Sequence, residues 1–494
     1  MTLPTRGAAE ALGWRAAQLA GTQVVSLLRL MILARLLAPE AFGLVSVAAV
    51  TTGLLMGLSN LGMTQALVQR PSPTPEEYDT AWTVDLMRAV LVSAVLVVFG
   101  PILAGLFNEP DAGPIVRALA IRPAIAAAAS IGVAKLTREL AFRRLAAMAL
   151  PAAVVEAVTS IALAPTLGVW ALIVGSLTGV MVQTLLSYLL APHRPRFRFD
   201  LQGATPLVRY GQWILFTGIV ALVGTSLTQV GISRMLGVES LGKYFVAGKL
   251  AFLPGEAAAA VIGAVAFPLY AAHRGDQDRS AATFGVLLTS QAVLFLPVFA
   301  IIIALAPALE GALGTRWAGT AWTTQILSAS CMMGLFGDSV IPLLRGQGRA
   351  DQAFAIEAVQ TGSRLLFLVP LMSAFGVPGA ALAWLVGNAV AQLAAAIFIR
   401  DVLRRSLGGL ARKRLAAGVT AAALAGAVAA GAGAALHGFT ALAVGGTTAA
   451  VAAAGILWAL DHVVGLHWHE LLPWHSTWGL SAVGMPIAKE ALDV

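Results

Sequence analysis

The sequence predicts an all-α polytopic membrane protein with about fourteen transmembrane helices: two six-helix lobes in a parallel pseudo-two-fold repeat, and two extra C-terminal helices. Three observations carry this. Of 494 residues, 58% are hydrophobic and only 11% charged, too apolar a balance for a soluble chain of this length. Apolar runs repeatedly exceed the roughly 20 residues that cross a bilayer. Finally, Arg35-Leu-Leu-Ala-Pro-Glu-Ala-Phe-Gly43 returns as Arg234-Met-Leu-Gly-Val-Glu-Ser-Leu-Gly242, with Arg, Leu, Glu and Gly at matching positions. A weaker echo pairs Leu167-Gly-Val-Trp-Ala-Leu172 with Phe375-Gly-Val-Pro-Gly-Ala380. Internally duplicated membrane proteins commonly place a substrate path between their halves, which makes transport the leading functional class.

Hydropathy sets the elements in order. The first six helices are expected at Gly13–Leu37, Phe42–Val68, Thr83–Leu106, Pro114–Val133, Ala147–Leu167 and Val169–Leu190. The next six follow at Val208–Leu236, Leu241–Leu269, Ala282–Leu309, Thr320–Leu344, Gln352–Phe375 and Pro378–Leu403. The last pair, Leu415–Leu436 and Phe439–Leu460, is almost entirely Ala, Gly, Val and Leu. Each copy of the repeated turn joins one long apolar segment to the next. Six helices separate the copies, so both lobes have one orientation and the axis runs along the membrane normal. The expected domains are an N-terminal lobe (1–200), a C-terminal lobe (201–410) and a final part (411–494) with two helices and a cytoplasmic or interfacial tail.

Loop charge gives the expected orientation. Arg70, Lys135, Arg138, Arg143, Arg144, Arg194, Arg196, Arg198 and Arg209 fall in alternate loops, as do Arg274, Arg279, Arg345, Arg349, Arg400, Arg404, Arg405, Arg412, Lys413 and Arg414; the opposite loops offer little beyond Arg35, Arg234 and Arg316. The basic set is then cytoplasmic, together with both termini. The net charge of +8 is thus a topology signal, and the absence of an aromatic-interleaved basic patch argues against nucleic acid. The N-terminus reads as retained, since no small-residue cleavage site follows the first apolar run. Cys331 is the single cysteine, which excludes an intramolecular disulfide. All loops are short, which argues against an enzyme with an extramembrane catalytic module. No Walker A, dinucleotide fingerprint, HExxH or nucleophile elbow is present, so no catalytic residue and no cofactor is expected. In His467-Trp-His-Glu-Leu-Leu-Pro-Trp-His-Ser-Thr-Trp478 the imidazoles lack a ligand framework, and an interfacial segment is favoured over a metal site.

Charged residues inside apolar helices are costly and usually face the bundle interior. Arg29, Arg122, Lys249 and Arg364 are the candidate cavity bases. Asp85, Glu156, Glu256, Asp338 and Glu357 are acids with a coupling or structural role. Two readings stand side by side: a cationic cavity for an anionic headgroup, held by guanidinium forks, or interior ion pairs between neighbouring helices. Arg29 has no acid within a turn on its own helix, which favours a ligand. Glu357 and Arg364, two turns apart on one face, suit a structural pair. Arg35, Glu40 and Gly43, repeated as Arg234, Glu239 and Gly242, mark a periplasmic gate or a turn fixed by an Arg–Glu contact. Lys135 to Leu145 is expected to form a short amphipathic helix on the membrane surface.

Leu33-Ala-Arg-Leu-Leu-Ala-Pro-Glu-Ala-Phe-Gly-Leu44, Asn60-Leu-Gly-Met-Thr-Gln-Ala-Leu-Val-Gln-Arg70 and Leu136-Thr-Arg-Glu-Leu-Ala-Phe-Arg-Arg-Leu145 together resemble the Wzx-like polysaccharide flippases of the MOP superfamily. The resemblance implies a MATE-like fold that passes undecaprenyl-pyrophosphate-linked oligosaccharide across the bacterial inner membrane. It implies lipid-linked oligosaccharide, membrane lipids and other polysaccharide-assembly membrane proteins as partners. It also implies basic residues on the first helix and across the cavity, a role for which Arg29 and Lys249 are candidates. An ion-coupled antiporter of the same fold, or a non-catalytic component of glycan assembly, is the alternative.

Overall fold

The computed structural model describes residues 5–59, 74–191, 193–197, 212–272, 275–406, 408–436 and 438–464. The Asn60–Arg70 motif, the His467–Trp478 tail, Arg198, Arg209 and Arg274 lie outside the described residues. Two compact units are present, Met1–Gly242 and Lys243–Val494. In order, the helices are α1 (Thr5–Leu36), α2 (Pro39–Leu58), α3 (Pro75–Gly105), α4 (Ala112–Leu119), α5 (Ile121–Ala127), α6 (Gly132–Arg138), α7 (Phe142–Leu167), α8 (Val169–Leu190) and α9 (Gln212–Ala272). They continue with α10 (Gln277–Leu313), a 3-10 turn (Thr315–Trp317), α11 (Thr320–Gly346), α12 (Ala350–Phe375), α13 (Val377–Phe398), α14 (Arg400–Ser406), α15 (Gly409–Ala435) and α16 (Gly438–Val464). Among the described residues every regular element is helical.

Among the described residues twelve helices are long and apolar enough to cross a membrane, or thirteen if a bent pair counts as one span. The count differs from the expected fourteen at two places. The fourth span is broken, with Ala112–Ala127 and Gly132–Arg138 meeting at 61°. The expected seventh and eighth are two helices that meet at the non-helical Gly237 and share the label α9. The surface helix expected at Lys135–Leu145 is also divided: α6 stops at Arg138, Leu140 has φ 55° and α7 starts at Phe142.

Breaking a span exposes backbone that the bilayer cannot solvate, so partners must come from the protein. Here α3 and α8 supply them. Thr184 Oγ1 donates to the Ile125 carbonyl (2.9 Å), Tyr188 OH to Ala128 (2.6 Å) and Trp82 Nε1 to Ala129 (3.0 Å), while the Ser130 amide donates to Ser187 Oγ (2.8 Å).

The two repeated turns interrupt their helices at equivalent positions with different backbone conformations. In the first, Ala38 is extended (φ −77°, ψ 157°) and Pro39 opens α2, where proline's fixed φ suits a first helical position. In the second, Gly237 has φ 84° and ψ 169°, which a side chain rarely tolerates. Their backbones touch. A methyl at Gly43 would lie 2.0 Å from the Val238 oxygen, and one at Gly242 1.9 Å from the Pro39 oxygen. Position 39 corresponds to 238 and 43 to 242, so the contact is reciprocal, as a local two-fold relation between the turns requires. From there α2 runs antiparallel to the start of α9: Ser46 Oγ donates to Gln229 Oε1 (3.0 Å), and Gly57 faces Leu222.

Small residues let the α7–α8 hairpin close. A methyl at Gly175 would lie 1.9 Å from Ser160 Oγ, and one at Gly179 2.7 Å from Glu156 Cβ, the spacing of a small-xxx-small interface. In the second unit Gly418 of α15 presses similarly on the Ala292 backbone of α10 (3.0 Å).

Candidate functional site

The first helix builds the site. Arg15, Gln18, Thr22, Ser26 and Arg29 fall within an arc of about 80° at 3.6 residues per turn. Val24, Leu28 and Ile32, away from that arc, are exposed apolar residues, as a lipid-facing surface requires. The polar stripe lines two adjacent chambers of the first unit. One, about 270 Å³, receives Thr22, Ser26 and Arg29 from α1, Arg122 from α5, Glu156 from α7 and Gln183 from α8. The next, about 350 Å³, receives Arg15 and Gln18 and shares Ala149, Val180 and Gln183 with the first. A third, about 650 Å³ and mostly apolar, contains Trp82, Asp85 and Arg88 and shares the Ala126–Thr137 wall with the second.

In the first chamber Arg29 pairs with Glu156, their side chains 24% and 27% exposed. The acid that Arg29 lacks on its own helix comes from α7, and the sequence argument for a free Arg29 fails on this point. Gly179 makes the pair possible, because any side chain there would occupy the path of Glu156. Arg122 is exposed on the same wall and makes no hydrogen bond or ion pair among the described residues. It is the open cation of the chamber. A guanidinium with free N–H groups can hold phosphate or carboxylate bidentately.

Asp85 is held by Arg88 one turn on (3.4 Å), and Arg88 also donates to the Met56 carbonyl and Ser59 Oγ, both at 3.2 Å. Arg15 donates to Gln18 Oε1 (3.0 Å) and lies 5.6 Å from the Phe142 ring. Beside the third chamber, Asp79 Oδ1 accepts from His193 Nε2 (2.8 Å) and from the Arg196 amide (3.1 Å), while Ser130 Oγ donates to the His193 carbonyl (2.7 Å). The segment leaving α8 is thereby strapped across the helix break.

The remaining candidates lie in the second unit. Lys249 is exposed on α9, its ammonium 5.8 Å from the Phe245 ring. Arg364 is 3% exposed, its guanidinium 4.1 Å from the Trp384 ring centre, and its Nε finds no acceptor. Glu357 interacts electrostatically with Arg364 and Arg345. Beside them Asn388 donates to the Ser330 carbonyl (2.9 Å) and hydroxyl (2.8 Å) and accepts from Gln360. Asp338 and Glu256 both reach Cys331 electrostatically.

At the repeated turns Arg35, Glu40, Arg234 and Glu239 are exposed. Each Glu lies in the first turn after its break, where a carboxylate favours the helix N-terminus. Arg234 Nε donates to the Leu106 carbonyl (2.6 Å). Nearby, burial holds the Glu109 carboxyl above its usual range, with Asp111 adding to the rise and a hydrogen bond from the Val238 amide opposing it.

Arg15, Arg88, Asp79 and His193 were not singled out from the sequence, although the α1 stripe was visible as polar residues at helical spacing. Residues 32–321 match the family described as polysaccharide biosynthesis protein. The chain belongs to that family. It is 27% identical over 354 residues to the succinoglycan biosynthesis transport protein ExoT of Rhizobium meliloti (strain 1021), covering 71% of this chain and 72% of that one. It is 23% identical over 347 residues to the lipopolysaccharide biosynthesis protein WzxC of Escherichia coli (strain K12), covering 68% and 69%. Among solved structures it is similar to the lipid II flippase MurJ in its inward closed conformation, with TM-score 0.62, 12% identity, and 82% and 91% of the two chains covered. It is also similar to an inward-facing multidrug resistance MATE family transporter of the MOP superfamily, with TM-score 0.61, 17% identity, and 78% and 96% covered. The Wzx-like resemblance and the MATE-like fold are upheld. The protein is a multi-pass membrane protein with the fold of the MOP-superfamily transporters, and its relatives serve polysaccharide biosynthesis.

Proposed function

We propose that this protein is a flippase that moves undecaprenyl-pyrophosphate-linked oligosaccharide from the cytoplasmic to the periplasmic leaflet of the bacterial inner membrane by alternating access. In this reading both termini are cytoplasmic, and the sugar and pyrophosphate cross inside the protein while the prenyl tail stays in lipid. The observation that carries it is the open Arg122 guanidinium beside the neutralised Arg29–Glu156 pair. The chamber thus holds two guanidinium groups against one carboxylate, which suits an anion and disfavours the cationic cargo of an antiporter. The test uses proteoliposomes and a fluorescent lipid-linked oligosaccharide whose exposure is read by an external glycosidase. Arg122→Ala should slow translocation about ten- to a hundredfold, the weight of a charge-assisted contact. Arg122→Lys should recover part of the rate, since it keeps charge but loses the fork. An unaltered rate for Arg122→Ala at equal protein would remove this chamber from the path.

A further inference from the structure

We infer, on the flippase reading above, that the polar stripe of α1 is a rail for the glycan, so that the protein reads the hydroxyl groups of an extended oligosaccharide as well as the pyrophosphate. From Arg15 to Arg29 the stripe extends fourteen residues, or about 21 Å of helix rise, room for several sugar rings in series. It runs through both adjacent chambers. Its middle is neutral, with Gln18, Thr22 and Ser26 flanked by Gln23, and α8 faces it with Gln183.

The chemistry of these groups selects the ligand. A phosphate dianion only accepts hydrogen bonds and would be met by cations or amides. A pyranose both donates and accepts around its ring, and hydroxyl and carboxamide side chains do the same. Thr22 Oγ1 gives its proton to the Gln18 or Leu19 carbonyl (2.9 and 3.0 Å), which leaves its lone pairs to accept. Gln23, Ser26 and Gln183 make no hydrogen bond among the described residues. Polar groups so placed in an apolar span are expensive unless a solvated path or a ligand meets them. The division of labour follows: Arg122 takes the pyrophosphate, and the rail takes the sugars.

The test measures binding of two lipids to the full-length protein in detergent by native mass spectrometry: undecaprenyl pyrophosphate without sugar, and the same lipid carrying an oligosaccharide. Wild type should prefer the glycosylated lipid. Thr22→Val, Ser26→Ala and Gln183→Leu keep approximate size and remove the polar atoms. Each should weaken binding of the glycosylated lipid about three- to tenfold, the weight of one neutral hydrogen bond, and leave the bare lipid unchanged. Arg122→Ala should weaken both. Ser26→Ala, the smallest change, carries the test if the bulkier variants fail to fold. An equal loss for both lipids, or no loss for either, would overturn the rail while leaving the flippase reading intact. Wild-type protein that binds neither lipid would overturn both.

Discussion

Glu156 and Arg364 hold the same place in two copies of one hairpin. Each lies twelve residues before a turn glycine of unusual conformation, Gly168 at φ 56°, ψ −126° and Gly376 at φ 63°, ψ −136°. Each packs against a glycine eleven residues beyond that turn: a methyl at Gly179 would lie 2.7 Å from Glu156 Cβ, and one at Gly387 2.9 Å from Arg364 Cβ. Even the carbonyls one turn earlier agree, with Ala152 and Gln360 closing on those glycines at 3.3 and 2.8 Å. The repeat preserves a niche for an ionisable side chain and reverses its charge. Arg29 neutralises Glu156, but Thr228 stands where Arg29 does when both are counted from the repeated turns. Arg364 has the Trp384 ring and the Glu357 carboxylate instead.

Arg29 and Glu156 should therefore be coupled energetically. Arg29→Gln and Glu156→Gln each leave a partly buried charge without its partner, and the double variant removes both charges. The double variant should unfold at a higher temperature than the two single losses predict, with a coupling of about 1–2 kcal/mol. A cycle measured in one detergent tests this. Additive losses would mean that the two groups do not stabilise one another in the folded protein.

Arg364 and Glu357 should be coupled energetically in the second unit. Arg364→Met removes the stack on Trp384 and the cation that faces Glu357, which leaves that partly buried carboxylate with Arg345 alone. Arg364→Met should therefore lower the melting temperature, and adding Glu357→Gln should recover part of the loss. A double variant no more stable than Arg364→Met alone would assign the loss to the Trp384 stack and not to the ion pair.

Much of the fold was legible because it rests on periodicities. The duplicated turn marked two equivalent helix breaks, and the Leu167 and Phe375 echoes marked hairpins whose glycines share one conformation. The break at Ala128–Ile131 was not legible, since its partners Trp82, Thr184, Tyr188 and Ser187 come from helices distant in sequence. The Arg29–Glu156 pair was hidden for the same reason, as 127 positions separate the residues. The α1 stripe was legible and missed: attention to single charges passes over the neutral Gln18, Thr22 and Ser26 between them.

Gly237 should resist substitution where Ala38, its counterpart, does not. At φ 84° and ψ 169° a Cβ is strained even though no neighbour lies within 4 Å of it. Gly237→Ala should destabilise the protein by about 1–3 kcal/mol. Ala38→Gly keeps an allowed conformation and should cost less than about 1 kcal/mol. Thermal unfolding of the two variants in one detergent gives the comparison. Equal losses would show that α9 bends without needing a glycine.

Alternating access, as proposed, requires the repeated turns to part and rejoin. Ser46 and Gln229, hydrogen-bonded at 3.0 Å, lie beside that contact on α2 and α9. Cysteines at both positions, in a Cys331→Ser background to remove the single native thiol, should be joined by a short cleavable bifunctional reagent. The linked protein should lose translocation, because the helices can no longer separate, and cleavage of the linker should restore it. Pro39 and Val238, which make the backbone contact, stay native, so any loss is assigned to the link. Protein that is fully linked yet translocates at the normal rate would show that α2 and the start of α9 move as one body, and rocking at these turns would be wrong.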